Sequence, residues 1–262
     1  MSAPPIIDIH THLAAPGSVP DEAEMQRMMR LAAKAGVGKV IALGNLVSMG
    51  GANPTQDDIT AINSNTLGAM KAHPDFFIGF CYLNPSHPPE FSLNEMERCI
   101  VRGGMSGVKL WVAVKATDKR HDPLFQRIQE LDVPVLYHAW YKAFDQGPAE
   151  STPAEIADLA RRFPKVTIVM AHLTGDQERG VLDIRGCENV LIDTSGGQPE
   201  AGLVEYAVEK LGAARVIYGS DWPVRDFAVQ VGRVAGARIS DRDKEMIFTR
   251  NAQRILKLEG AR

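Results

Sequence analysis

Short apolar runs alternate with amphipathic segments along the whole chain. The strand-like runs cover 5–12, 39–44, 76–83, 107–112, 134–139, 166–172, 190–195 and 216–221. Several are almost continuously apolar, such as Val166-Thr-Ile-Val-Met-Ala171, the pattern of a strand covered on both faces. Between them lie segments of helical period. Ile156, Leu159, Ala160 and Phe163 recur at i, i+3, i+4 and i+7, behind a Thr152-Pro153-Ala154-Glu155 capping box. Asp122-Pro123 opens another helix, and a last one is predicted from about Ser240 to Leu258. Eight strands each followed by a helix predict an α/β fold, a (β/α)8 TIM barrel with an extra C-terminal helix. An open doubly wound sheet is the alternative, but no Gly-x-Gly-x-x-Gly turn follows the first strand. No Pro/Ser/Gly linker divides the chain, so 1–262 reads as a single domain.

The connections differ by side. Those from helix to strand are short, as in Ala35-Gly-Val-Gly38 and Arg162-Phe-Pro-Lys165. Several of those from strand to helix are long: Gly44 to Gln56, Asn84 to Glu90, Ala113 to His121, Ala139 to Ser151. In a barrel the long set emerges at one end, where active sites are built. Gly50-Gly51 lies in one of these loops and reads as a lid hinge or as a turn.

Polar residues close the strand runs at that same end. The first run finishes Asp8-Ile-His10-Thr-His12, and alternation along a strand sends His10 and His12 to one side. His138, His172 and Asp221 end the fifth, sixth and eighth runs. Imidazoles with a carboxylate suit Zn²⁺, with Mn²⁺ or Fe²⁺ as alternatives. A divalent ion with a vacant position can activate water near neutral pH, with Asp221 as ligand and proton shuttle. His172 is expected to bind the metal, to polarise a substrate carbonyl, or both.

Composition narrows the partners. The chain has 262 residues, 45% hydrophobic and 23% charged, with net charge −3 and no Lys/Arg block. A small-molecule substrate is expected, and neither nucleic acid nor a membrane surface. Cys81, Cys99 and Cys187 are scattered without Cys-x-x-Cys spacing and read as reduced thiols. With no leader pattern and no membrane-length run, the expected location is the cytoplasm. Whether copies associate into a homo-oligomer stays open.

These residues resemble the amidohydrolase superfamily, in particular its compact branch of metal-dependent hydrolases and non-oxidative decarboxylases. The matching pieces are Asp8-Ile-His-Thr-His12, Gly107-Val-Lys-Leu-Trp111, Tyr137-His138, Ala171-His172, Tyr218-Gly-Ser-Asp-Trp-Pro223 and Phe248-Thr-Arg-Asn-Ala-Gln-Arg-Ile-Leu256. The resemblance implies a barrel with a metal held by His10, His12, His138 and Asp221, and His172 beside it. Lys109, on the fourth strand, has two readings. It could be a carbamylated bridge between two metals, as in some members, or a lysine that packs its stem and pairs with a carboxylate.

The leading expectation is a metal-dependent hydrolase cleaving an ester, lactone or amide of a small molecule, with Asp221 as base and His172 as carbonyl polariser. Trp140 and Tyr141 are candidates to line the substrate pocket, or else to pack their loop. Arg225 is a candidate to hold a substrate carboxylate, or else a salt-bridge partner near a helix start. A non-oxidative decarboxylase of a small cyclic or aromatic acid is the alternative, ranked second because the chain is short for that branch. A metal-dependent nuclease ranks lower, since Lys109 stands where a glutamate is expected. A non-catalytic binding protein on the same fold is the last alternative, and it has every ligand type against it. His73, His87 and His121 read as turn, surface and helix-start residues.

Overall fold

The structure is a computed structural model that describes residues 5–14, 20–44, 51–142, 146–197 and 200–258. Eight parallel strands follow one another in a single sheet in chain order: β1 (Ile6–Thr11), β2 (Val37–Ala42), β3 (Phe77–Leu83), β4 (Gly107–Leu110), β5 (Val135–Tyr137), β6 (Ile168–Met170), β7 (Val190–Asp193) and β8 (Val216–Ile217). The first and last strands meet through Ile9 N–H to Tyr218 O (3.0 Å), Asp221 N–H to His10 O (2.8 Å) and His12 N–H to Trp222 O (2.7 Å). Those bonds bring the sheet round into a nearly closed barrel.

Helices α1 (Glu22–Lys34), α2 (Gln56–Ala72), α3 (Pro89–Met96), α4 (Asp122–Leu131), α5 (Pro153–Arg162), α6 (Leu173–Asp183), α7 (Leu203–Leu211) and α8 (Phe227–Ala235) alternate with the strands. The predicted capping box at Thr152 starts α5, and Thr55 caps α2 in the same way. Beyond α8 the chain is helical from Asp241 to Leu256, through α9 (Asp241–Glu245), a π-turn over Met246–Arg250 and α10 (Asn251–Leu256). This is the extra C-terminal helix.

The strands sort their side chains into two apolar clusters, as strands covered on both faces must. Ile7, Ile9, Ile41, Leu43, Phe80, Leu136, Val169, Leu191 and Ile217 pack together in the barrel, joined by Ala252 and Ile255 of α10. The C-terminal helix therefore plugs one end of the barrel, and the polar strand ends occupy the other. The alternate residues, among them Val40, Val108, Val135, Ile168, Val190 and Val216, join the helices in the larger cluster.

Gly50 lies outside the described residues. Gly51 has φ +56, a turn conformation that glycine takes without strain. Among the described residues no helix is long and apolar enough to cross a membrane. Cys81, Cys99 and Cys187 are buried free thiols.

Candidate metal centre and cavity

The residues that close β1 and follow β8 converge. Asp8 Oδ1 accepts from the amides of His10 and Ser220, both at 3.0 Å, and so ties the two strand ends together. Asp221 then turns back in the left-handed region at φ 64, and His172 after β6 does the same at φ 78. Left-handed non-glycine residues are uncommon, and here they bring two polar side chains back over the barrel mouth.

The tautomers of the paired histidines follow from their outer partners. His10 Nδ1–H donates to Asp193 Oδ2 at 2.7 Å, and His12 Nδ1–H donates to Gly44 O at 3.2 Å. Each ring then presents an Nε2 lone pair, and each Nε2 stands 3.4 Å from Asp221 Oδ1. Ligand atoms of His10, His12 and Asp221 all lie within 4.8 Å of one another. Two lone pairs and a carboxylate facing each other at that range repel unless a cation sits between them. The donor set therefore fits a divalent metal, with Asp193 as the outer carboxylate that orients a liganding histidine.

His138 lines the same cavity, but both of its ring nitrogens have other partners. Nε2 is 2.8 Å from Glu150 Oε1, and Nδ1 is 3.0 Å from His172 Nε2. Its ligand atoms are not among the three that converge. A second convergent group, His10, His172 and Asp193, is a hydrogen-bonded set, because Asp193 also accepts from the His172 amide at 3.0 Å and from Ser195. A chain of four links runs from Glu150 through His138, His172 and Ser195 to Asp193. Two neutral imidazoles and a hydroxyl supply three protons to those links, so the chain has a place for one more. Burial pushes Glu150 up, but hydrogen bonds from His138 and Lys142 outweigh it and bring the carboxyl to about 2. Burial also holds His10 and His172 well below the usual imidazole range, with the neighbouring positive groups adding to it.

These groups face a cavity of about 180 Å³ lined by His10, His12, Lys109, Trp111, His138, Trp140, His172, Asp221, Val224 and Arg225. Trp140 packs against His138 at 6.2 Å between ring centroids and 19° between planes. Its contact with His172 is closer, at 4.9 Å. Arg225 reaches the rim. Its Nη1 donates to Val224 O, and among the described residues no carboxylate pairs with it.

Lys109 on β4 is 1% exposed, and among the described residues its ammonium has neither a hydrogen bond nor an ion pair. The expected carboxylate partner is missing. Burial brings Lys109 down to about 8, while the charges of Asp221 and Asp193 oppose the fall. Tyr141 is not in the cavity lining. Its hydroxyl donates to Asp183 Oδ2 at 2.5 Å, and Arg179 lies 4.2 Å over its ring. Neighbouring residues on extended chain point to opposite sides, so with Trp140 inward Tyr141 turns outward.

Asp193, Ser195, Glu150 and Trp111 escaped the sequence reading. Asp193 ends the seventh strand, as the other candidates end theirs, and that signal was available. Glu150 sits in an irregular loop, where no periodicity reports contact with His138. The remaining histidines have structural partners. His73 bonds Glu22 at 3.1 Å, His87 bonds Pro54 O at 2.8 Å, and His121 is buried against Tyr137 at 3.0 Å.

Comparison with known proteins corrects the expected reaction. A gamma-resorcylate decarboxylase of Polaromonas sp. (strain JS666) is 24% identical, the alignment covering 79% of each chain. The crystal structure of 2,6-dihydroxybenzoate decarboxylase from Rhizobium superposes with TM-score 0.77 at 19% identity, covering 98% of this chain and 99% of that one. A dihydroxybenzoic acid decarboxylase from Polaromonas sp. JS666, with bound manganese and the inhibitor 2-nitroresorcinol, gives TM-score 0.73 at 20% identity, covering 97% of each chain. These relatives are named as decarboxylases, so the expectation of an ester, lactone or amide hydrolase is overturned. The ranking behind it rested on chain length, and that argument fails because the alignment runs nearly end to end with decarboxylase structures. The amidohydrolase family model matches residues 7–258, and this chain belongs to that family of metal-dependent barrel enzymes.

Proposed function

We propose that this chain is a metal-dependent non-oxidative decarboxylase of a small cyclic or aromatic acid. The observation that carries the reading is the three-donor centre of His10, His12 and Asp221 at the floor of a cavity walled by Trp111 and Trp140. The cavity belongs to a chain whose curated relatives are named as decarboxylases. The volume of about 180 Å³ suits one ring with its substituents. The donor set accommodates Zn²⁺ or Mn²⁺. Three buried free thiols support a reducing compartment, and the location proposed is the cytoplasm.

The reaction needs no oxidant. The carbon–carbon bond to the carboxyl group breaks, CO2 leaves, and the electron pair left on the ring carbon takes a proton. A bound divalent metal supplies a Lewis acid that withdraws charge from acid oxygens. The protein does the rest. Trp140 and Trp111 offer the ring apolar surface in the cavity and exclude water from it. Arg225 orients the acid from the rim. Asp221 and His172 handle the proton. His172 stands in the hydrogen-bonded chain that has room for one more, beside the cavity.

The test is metal content on protein purified without added metal or chelator, with CO2 release measured on a panel of hydroxybenzoates. About one zinc or manganese per chain is expected, with CO2 release lost on chelation and restored by the metal. Full CO2 release in chelator, or a metal-loaded protein that releases none from any cyclic acid, would overturn the reading.

A further inference from the structure

The wall of the cavity carries a cation that the proposed reaction does not use. Lys109 stands in the middle of β4, in register with Tyr82 of β3 and Leu136 of β5. Barrel strands on both sides therefore fix its backbone. It is 1% exposed, and the small surface it keeps faces the cavity that holds His10, His12 and Asp221. Among the described residues nothing accepts a hydrogen bond from its ammonium. A buried ammonium without an acceptor is costly, and proteins ordinarily pair such a group. The other buried cation among the described residues, Arg215, has acceptors: it donates to Val190 O, Arg185 O and Ile184 O. Of the two, Lys109 is left facing an accessible space.

Asp221 and Asp193 act on Lys109 through space, without reaching it by hydrogen bond or ion pair. Converting its amine to a carbamate would add a third negative charge beside those two. Neither convergent group of possible metal donors includes His138, so no second set of histidines is gathered around Lys109 to hold a metal that would neutralise that charge. The cavity already carries more fixed cations than anions, with Lys109 and Arg225 against Asp221, before any metal is added. With a divalent metal bound as well, a monoanionic acid would leave the lining still positively charged. The carboxyl that departs as CO2 gains nothing from a strong cation, which would hold it in its charged form. The ammonium is better matched to a carboxylate that stays.

We propose that Lys109 is a specificity residue that binds a second, non-reacting carboxylate, so that the substrate is an aromatic or cyclic dicarboxylic acid. The assignment rests on the decarboxylase reading for the reaction, but the binding site is testable without turnover.

The probes are isophthalate and benzoate, titrated calorimetrically into metal-loaded protein. Wild type should bind isophthalate at least about tenfold more tightly than benzoate, the effect of one charge-assisted hydrogen bond in a buried site. Lys109→Met should bring the two affinities within about twofold of each other, mainly by weakening isophthalate, with metal content unchanged. If Lys109→Met does not fold, Lys109→Gln takes its place, retaining a polar end without the charge. Undiminished discrimination in the variant, equal or absent binding of both acids by wild type, or metal lost together with the lysine would each overturn the proposal. So would an intact mass 44 Da above the sequence mass, with the addition located on Lys109. CO2 release from the same acids is assayed separately. Discrimination without turnover upholds Lys109 and removes the decarboxylase, whereas turnover without discrimination does the reverse.

Discussion

Two clusters of polar side chains are buried in this barrel, and they are finished to different degrees. One lies between α2, β3 and α3. Asn63 Nδ2 donates to Tyr82 O at 3.0 Å and to Glu95 Oε2 at 2.8 Å, while its Oδ1 accepts from Tyr82 N–H at 2.8 Å. Arg98 closes the cluster with a fork onto Glu95, at 2.7 and 2.8 Å. The other lies at the barrel mouth. There two imidazole lone pairs and a carboxylate converge, and among the described residues no donor stands between them and no acceptor meets the lysine. The first cluster is internally complete, and its role is to lock two helices to a strand. The second is incomplete as protein alone, and what it lacks are a cation and an anion. Buried polar groups left without partners are rare enough that two such deficits in one cavity point to ligands.

The comparison predicts opposite consequences for substitutions of similar size. Asp221→Asn keeps shape and tolerates the left-handed backbone at φ 64. It should lower kcat/KM by at least about a thousandfold, because it removes the charge of the proposed metal donor and proton carrier. Stability of the metal-free protein should stay within about 1 kcal/mol, since the lost charge was facing two lone pairs. Thermal melts beside CO2 assays check both halves. Wild-type turnover in Asp221→Asn would remove the centre proposed here.

Glu95→Gln should do the reverse. It breaks the fork onto Arg98 and should cost about 2 kcal/mol of folding stability, leaving turnover per folded molecule unchanged. Burial alone would raise the Glu95 carboxyl, but Arg98 and Asn63 outweigh it and the net direction is down. The folded protein therefore binds this proton less readily than the unfolded chain. Its stabilisation is complete above the ordinary value of 4.5 and is lost as pH falls through the lowered one. Urea titrations across the acid range should show a shallower acid limb in Glu95→Gln than in wild type. Equal limbs would mean that Glu95 is not held as a carboxylate by this cluster.

What was legible in the sequence follows the same division. Repeated patterns were readable: β1 was expected at 5–12 and spans Ile6–Thr11, and the capping box at Thr152 starts its helix where helical period begins. The mouth was readable where it sits on strand ends, which is how His10, His12, His172 and Asp221 were found. It became unreadable where side chains meet across loops. His138 ends its strand as expected, but its two nitrogens meet His172 and Glu150, and no spacing announces Glu150. The eighth run was expected to continue to 221, but β8 ends at Ile217. The chain beyond it must bend to carry Asp221 over the mouth. The expected carboxylate partner of Lys109 follows a general habit of buried lysines, and this site departs from it.

The smallest expected effect concerns two adjacent aromatic residues that the sequence could not tell apart. Trp140 faces the cavity and touches His138 and His172, whereas Tyr141 faces Asp183 and Arg179 on the outside. Trp140→Leu removes one wall of the ring slot and should raise KM about tenfold, with a smaller change in kcat. Tyr141→Phe removes only the hydroxyl bonded to Asp183, and its backbone bond to Gly175 O at 3.2 Å remains. Its kcat/KM should stay within about twofold of wild type, with a stability loss of about 1 kcal/mol or less. The contrast tests side-chain direction at a point where the strand has already ended and alternation alone had to place the next two residues. A large KM change in Tyr141→Phe with none in Trp140→Leu would mean that the loop after β5 presents its other face to the substrate, and the ring slot would then have to be rebuilt around Tyr141.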